Sequence, residues 1–564
     1  MLVKLSKVAC LVAVLATLWS AVCVLGCANE NDPQTWVKRL DDPSQRPAAV
    51  KRLSQFFEDG MMHANKDRND PAVRALLEKI VQPLTKQYTA GNLDDKTRKE
   101  LLKLLADTRD PRIAPALAKA FNEYEPGRTE DEVKYASRAV IAMGGSTVMT
   151  DANVIDALWN VFSKFQVSKA KSSNIVKDLH DAVLIMASPS YGPKAVDKLR
   201  AAVDLSNRDA ANDQLEFWQK TAIQIVAQLR YTPAVRPLVK VLLTPSKAPL
   251  RSLAVYALLR MPKAADEQLV IALQGVDPEY SAIEAQYGAD RPFVAILGDA
   301  LALISRPEGA NAILSALSFA TTASNRTILA QSLVRFPSQP ALMSAFFVTY
   351  KLIPPSTDVV LVGGNAHAAL VDAASRFYDP RIVDWLLREA ATAKGDEADA
   401  LPPRALESAI KLMTVTQLKS VVDAVRKDPG AVREREMFAR AAPVVQRCRE
   451  DAACYAAAVA APIPSSPATA NMEVIKAAWM AAVYGKGSDS VREALVKRVG
   501  PVKDPGARLA IVEAIDQLAP HGDCGAARTL EAIVEADRAS GNADLLLVDD
   551  SVAKVALRLR ARAE

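Results

Sequence analysis

Apolar residues recur along most of this chain at the three- and four-residue spacing of a helix face. The pattern is clearest in Tyr231–Met261, YTPAVRPLVKVLLTPSKAPLRSLAVYALLRM. Val235, Leu238, Val239 and Leu242 fall on one face of a first helix. Leu250, Leu253, Ala254, Ala257 and Leu258 fall on one face of a second. Pro245 and Pro249 interrupt the run between them, because proline lacks an amide donor and its ring crowds the preceding turn. A lone hairpin of this size leaves its apolar stripe in water, so the pattern predicts stacking against neighbours of the same kind.

A second signal is the dipeptide Asp-Pro, at Asp32, Asp42, Asp70, Asp110, Asp277, Asp379, Asp428 and Asp504. Aspartate at an N-cap accepts hydrogen bonds from free helix amides. Proline at the next position has no amide to leave unsatisfied. Most of these pairs precede an amphipathic run, which predicts helix starts and not active-site acids. Two are near copies, DPRIAPALAKA from Asp110 and DPRIVDWLLREA from Asp379.

Starts and periodicity together predict successive helix pairs. Examples are Ala72–Tyr88 with Lys96–Leu105, Arg112–Phe121 with Glu132–Met143, Val154–Phe165 with Ile175–Met186, and Ile382–Ala391 with Arg404–Met413. Asp266–Gln274 pairs with Phe293–Ile304 across a longer loop, and Gly363-Gly364-Asn365 reads as a flexible loop before Ala366–Phe377. The best break is Ile463-Pro464-Ser465-Ser466-Pro467. After it, Glu473–Tyr484, Val491–Val499, Ala507–Leu518, Ala526–Ala536 and Ala543–Arg560 continue the array, the last as a cap. Aromatics make up only 5% of the chain and alanine dominates, which favours an all-α fold.

The unit length, the proline near the start of the first helix and the small-residue second helix, best seen in Pro233–Met261, resemble HEAT repeats. The resemblance implies an all-α fold, a HEAT/armadillo-like α-solenoid of stacked antiparallel helix pairs that binds proteins along a concave face. HEAT-like repeats also resemble those of lyases that attach bilin pigments, so an enzyme with a loop site is a rival class.

The N-terminus reads as an address. Lys4 and Lys7 precede an apolar run from Val8 to Leu25, which ends Val24-Leu25-Gly26-Cys27. This resembles a bacterial lipoprotein signal peptide, which implies cleavage after Gly26 and lipidation of Cys27; Leu25 departs from the small residue commoner at its position. An uncleaved anchor is the other reading, since a run of about 18 residues reaches the length that spans a bilayer. Ala28 stands where an aspartate retains some lipoproteins in the inner membrane, so the resemblance favours the outer membrane of a bacterial envelope. The organisation expected is a signal peptide over 1–26, a lipidated tether over 27–33, a solenoid over 34–462 and a helical continuation and cap over 463–564.

The formal charge is +5, of which Lys4 and Lys7 supply two, and no dense basic stripe interleaved with aromatics is present. Nucleic-acid binding is therefore not expected, and the mixed charges along the helices read as solvated faces.

Candidate chemistry is sparse. In CREDAAC, Cys448 and Cys454 would point apart on one continuous helix. If one helix ends near Cys448 and Asp451 caps the next, they come within disulfide range, as suits an exported protein. Cys524 is then unpaired within the mature chain, as a small apolar residue or a link to another chain. His63, His180, His367 and His521 are scattered and read as surface or loop residues, with no metal-ligand spacing. Ser-x-x-Lys occurs at Ser168, Ser408 and Ser551, as chance matches to a serine acylase motif. Gly485-Lys486-Gly487-Ser488 lacks the spacing of a phosphate loop and reads as a turn. No metal, cofactor or catalytic residue is assigned. The expected role is a lipid-anchored scaffold that binds other proteins, with a cell-wall-binding structural protein as the alternative.

Overall fold

The computed structural model describes residues 29–144, 150–200, 210–394, 400–459, 471–541 and 543–563. Gly26, Cys27 and the segment 463–467 lie outside them. The fold is all-α: helices make up 79% of the residues and there is almost no strand. The chain forms two compact units. One holds residues 29–191 with 210–221, the other 192–200 with Ala222 onward.

In the first unit the helices are α1 (Pro33–Arg39), α2 (Arg46–His63), α3 (Pro71–Ala90), α4 (Asp95–Thr108), α5 (Ala114–Asn122), α6 (Glu130–Ala142), α7 (Ala152–Lys164) and α8 (Ser173–Ile185). From α1 through α8, each helix packs on the second helix along the chain as well as on a sequence neighbour, which builds two layers of stacked pairs. The seam between layers is filled by the predicted apolar stripes; Leu53, Ile80, Leu101, Leu117 and Val140 are all fully buried. Near its end an aromatic cluster closes the core, with Trp159 4.8 Å from Tyr191 and Phe162 5.4 Å from Phe217 between ring centres. Two helices, α9 (Tyr191–Arg200) and α10 (Ala210–Gln228), run across the boundary between the units along the chain.

The second unit continues with α11 (Val235–Leu243), α12 (Arg251–Leu259), α13 (Pro262–Gln274), α14 (Pro278–Glu284), α15 (Phe293–Ile304), α16 (Pro307–Phe319), α17 (Ala323–Leu333), α18 (Pro340–Leu352), α19 (Ala366–Ala374) and α20 (Val383–Thr392). Then come α21 (Leu401–Leu412), α22 (Leu418–Lys427), α23 (Val432–Cys448), α24 (Ala452–Ala458), α25 (Met472–Tyr484), α26 (Asp489–Val499), α27 (Pro505–Leu518), α28 (Cys524–Ser540) and α29 (Ala543–Ala563). An inner layer runs α15, α17, α19, α21, α25, α27, α29, each helix packed on the next. The alternate helices α16, α18, α20, α22, α24, α26 and α28 lie outside.

The inner layer then closes on itself. Helix α29 packs on α15 and α12, far back in the sequence, and Arg306 donates a 2.8 Å hydrogen bond to the carbonyl of Ala561. At the same end the turn after α27 meets α29, where Asp523 N donates to the Leu559 carbonyl at 3.1 Å. Gly522 makes that approach possible. Its φ is +79°, and a β-carbon there would collide with the backbone of Leu559 and of Arg562–Ala563.

Six of the eight Asp-Pro pairs are helix starts whose aspartate side chain accepts from free amides: Asp32, Asp70, Asp110, Asp277, Asp379 and Asp504. In the two near copies the aspartate caps a 3-10 turn that leads into α5 or α20. The next arginine reaches back to the same carboxylate through two nitrogens, Arg112 to Asp110 at 2.9 and 2.6 Å and Arg381 to Asp379 at 2.9 and 2.5 Å. The other two pairs make turns instead. Asp42 accepts from Ser44 N, with α2 starting only at Arg46, and Asp428 accepts from Gly430 N, with α23 starting at Val432. In both, the carboxylate is used up by a local turn before a helix can form.

The charges are not all on solvated faces, which corrects the reading from sequence. Several cations are buried or half-buried, and they cap the carbonyl end of a preceding helix. Arg46 Nε donates to Leu40 O at 2.7 Å, Arg326 Nε to Ala320 O at 3.0 Å and Arg508 Nε to Val502 O at 3.0 Å, each across six residues. Each arginine lies in the early part of the second helix of a pair and satisfies carbonyls that the first helix leaves free, at the negative end of its dipole. Lys476 does the same between pairs, donating to Lys411 O at 2.9 Å and Met413 O at 2.6 Å at the end of α21.

Asp266 of α13 is 2% exposed, and its Oδ1 has no hydrogen-bond partner. Gly309 leaves room for it, since a β-carbon there would stand 2.9 Å from that oxygen. Burial, reinforced by Glu308 and Glu267 and opposed by Arg306, pushes its carboxyl up to about 7. Between its ordinary value and about 7 the folded protein holds a proton that the unfolded chain releases, so this group's contribution to stability falls as pH rises through that window. We expect Asp266→Asn to be more stable than the parent by on the order of 2 kcal/mol at pH 8. The gain should fade as pH falls towards 4. Urea titrations at both pH values check this, and an equal effect at each would overturn it.

Candidate functional site

Cys448 and Cys454 stand at disulfide distance, with their Cα atoms 5.4 Å apart. The local fold brings them together. Helix α23 ends at Cys448, Arg449 turns the chain with φ +51°, and Asp451 caps α24 by accepting from Ala453 N and Cys454 N. Closing so short a loop stabilises by about 2 kcal/mol in the chain-entropy model. Replacing both cysteines by serine should therefore lower the stability of the second unit by about that amount, read as a shift in its urea midpoint. Cys524, at the start of α28, is an exposed free thiol.

Other sequence candidates resolve individually. His63 and His521 are exposed and His180 is half-buried beside Asp181. His367 departs from the surface reading. It is buried at the start of α19, stacked 4.3 Å from Tyr350, with Nε2 2.9 Å from the Ile353 carbonyl. There it fixes the segment leading to the Gly363-Gly364 loop. Gly485–Ser488 is an interhelical turn, as expected, with Ser488 capping α26. Among the described residues no group of histidines, cysteines or carboxylates is placed to hold a metal ion. No described helix is long and apolar enough to cross a membrane.

Two features stand out. The first is at the Gly363-Gly364 loop, which is ordered as a small antiparallel hairpin, Asp358–Val359 with Gly364–Asn365. Asn365 caps α19, which anchors the hairpin's base. Its tip is apolar yet open to solvent: Val360 is 95% exposed and Leu361 62%. The hairpin packs on α17, and Arg326 of α17 donates to Leu352 O at the end of α18. That brings the hairpin and the end of α18 to one side of the unit. Val348 and Leu352, one turn apart on α18, are likewise more than half exposed.

The second is a cavity of about 360 Å³ inside the closed inner layer, with walls from α15, α17, α19, α27, α29 and the turn after α19. Its lining carries Arg335, Arg376, Lys554 and Arg558 with Glu513 and Asp516, together with the apolar Leu303, Val334, Ala373, Leu509 and Val555. Arg558 meets Asp516 at 2.6 Å, Arg376 meets Glu513 at 3.4 Å, and Arg562, behind the wall, shares Asp516 at 2.5 Å. Tyr378 stacks on Trp479 at 4.6 Å, and its phenol is held well above its ordinary value by burial and by Glu513. Burial pushes the Arg562 guanidinium down despite Asp516.

The sequence reading marked the Gly363-Gly364 loop as flexible but found neither its ordered apolar tip nor the cavity. A three-residue apolar tip has no periodicity to betray it. The cavity is assembled from residues more than 200 positions apart, from Leu303 to Arg558. Its only local trace was Ser551–Lys554, one of the three Ser-x-x-Lys matches, and both of these residues line it.

The fold and these features define a class: an all-α helical-repeat protein of stacked antiparallel helix pairs, its second unit closed around a charged cavity. In comparisons with known proteins, no family model matches the chain and no curated sequence matches it.

Proposed function

We propose that the protein is a lipid-anchored envelope scaffold, held at a bacterial membrane, the outer one in preference to the inner, through a lipid on Cys27, and that it binds other proteins through its helical-repeat surface. The N-terminal pattern, Lys4 and Lys7 before an apolar run ending at Gly26-Cys27, supports the anchor. The observation that carries the binding role is the solvent-exposed apolar tip Val360–Leu361 with Val348 and Leu352 beside it. Apolar side chains held out on an ordered element mark a contact surface. The closed inner layer of the second unit leaves its outer helices and loop ends, not a concave groove, as the surface a partner meets there.

The test uses the full-length protein in cells, with a photo-cross-linking residue at Val360 or Leu361. Reproducible links to one protein support the scaffold. Links to none, with the protein folded and membrane-bound, overturn it and direct the search to cell wall. The anchor is tested separately by Cys27→Ala, which should abolish acyl labelling and leave an uncleaved precursor.

A further inference from the structure

We infer that the cavity inside the second unit is a binding site for a small organic anion, a carboxylate or a phosphate ester on a compact apolar body. Three observations carry this. The lining combines four cations and two carboxylates with aliphatic side chains. Two of the lining side chains carry donors in need of acceptors. Arg558 Nε and the Tyr378 hydroxyl, both in the lining, have no hydrogen-bond partner, although Arg558 is 9% and Tyr378 1% exposed. Buried donors left unmade are costly, and two arginines sharing the single carboxylate of Asp516 remain one positive charge in excess. A ligand that supplies oxygen acceptors and negative charge answers both. The volume, about 360 Å³, lies within the range that small-molecule sites occupy.

Lys554 and Arg335 give the site its polarity. Each is tied to a carboxylate outside the cavity, Lys554 to Asp550 at 2.7 Å and Arg335 to Asp299 at 2.6 Å. Both can therefore turn a second donor towards a ligand without losing their anchor. Glu513, also in the lining, holds the Arg376 guanidinium at 3.4 Å. A cationic ligand would meet the surplus cations. A neutral one would leave the positive charge beside Asp516 uncompensated.

The experiment is isothermal titration of the full chain with hexanoate, hexyl phosphate, hexanol, hexylamine and inorganic phosphate. We expect hexanoate or hexyl phosphate to bind at least about tenfold more tightly than hexanol or hexylamine. The tighter of the two identifies a carboxylate or a phosphate as the natural head group. Lys554→Gln, at a side chain with 39% exposure, should weaken binding several-fold, and Arg558→Gln more. Should Arg558→Gln fail to fold, Ser551→Phe narrows the cavity without touching its charges and should weaken binding as well. Affinity no better than hexanol, binding of inorganic phosphate equal to that of the organic anions (an adventitious ion only), or unchanged affinity in Lys554→Gln and Ser551→Phe would each overturn the assignment. Because the readout is ligand affinity, it is independent of the cross-linking test of the scaffold.

Discussion

Replacing Arg508 by alanine should destabilise the second unit by about 3–5 kcal/mol, the largest effect expected of any single substitution here. Arg508 is fully buried in α27. Its guanidinium donates to Val502 O at 3.0 Å and Gly500 O at 3.2 Å, where α26 ends, and pairs with Asp537 of α28. Alanine strips two helix-end carbonyls of their donor. It also leaves the Asp537 carboxylate, nearly buried, with only the exposed Lys503 at 3.8 Å. Losing one partner of a buried ion pair is costly because the other charge stays behind, unlike removal of both. The prediction therefore has a second arm. Arg508→Met combined with Asp537→Asn should cost clearly less than the sum of the two single changes. Urea unfolding followed by tryptophan fluorescence, to which Trp385 and Trp479 contribute from the second unit and Trp36, Trp159 and Trp218 from the first, measures all of these variants as changes in the second unit's transition. An Arg508→Ala variant within about 1 kcal/mol of the parent would contradict the argument.

Lys476→Met should cost about 2–4 kcal/mol. Methionine keeps the apolar stem of the side chain but removes the donor that serves Lys411 O and Met413 O. Two opposed effects set the magnitude. Burial of the amine already disfavours its charged form and holds its pKa well below the ordinary lysine value, so removing it relieves some strain. Against that, two carbonyls at the end of α21 lose the amine donor that serves them in a place closed to water, and this loss outweighs the relief. A neutral or stabilised Lys476→Met variant in the same urea titration would reverse that ranking.

Much of the architecture was legible in the chain because helix pairs announce themselves locally. Phe293–Ile304 was predicted at the bounds observed, and most other helices fell within a few residues of theirs. Six Asp-Pro starts came from capping chemistry confined to three or four residues. The corner at Cys448–Cys454 was readable for the same reason, since a helix end and an Asp451 cap are both short-range signals. Where two local uses of one residue compete, as at Asp42 and Asp428, the sequence was ambiguous and a turn took the carboxylate.

Most helices, their order and their pairwise stacking were thus readable locally, because apolar periodicity and capping act within one or two turns of chain; the short α14 (Pro278–Glu284), read as part of a loop, was not. Which charges are buried, the return of α29 to α15 and α12, and the cavity inside that closure come from long-range packing. Each of these depends on which surfaces meet after each helix pair has rotated on the last. The arginine and lysine caps show the physical reason: nothing in the composition of a helix distinguishes a solvated cation from one that a neighbouring helix end has claimed.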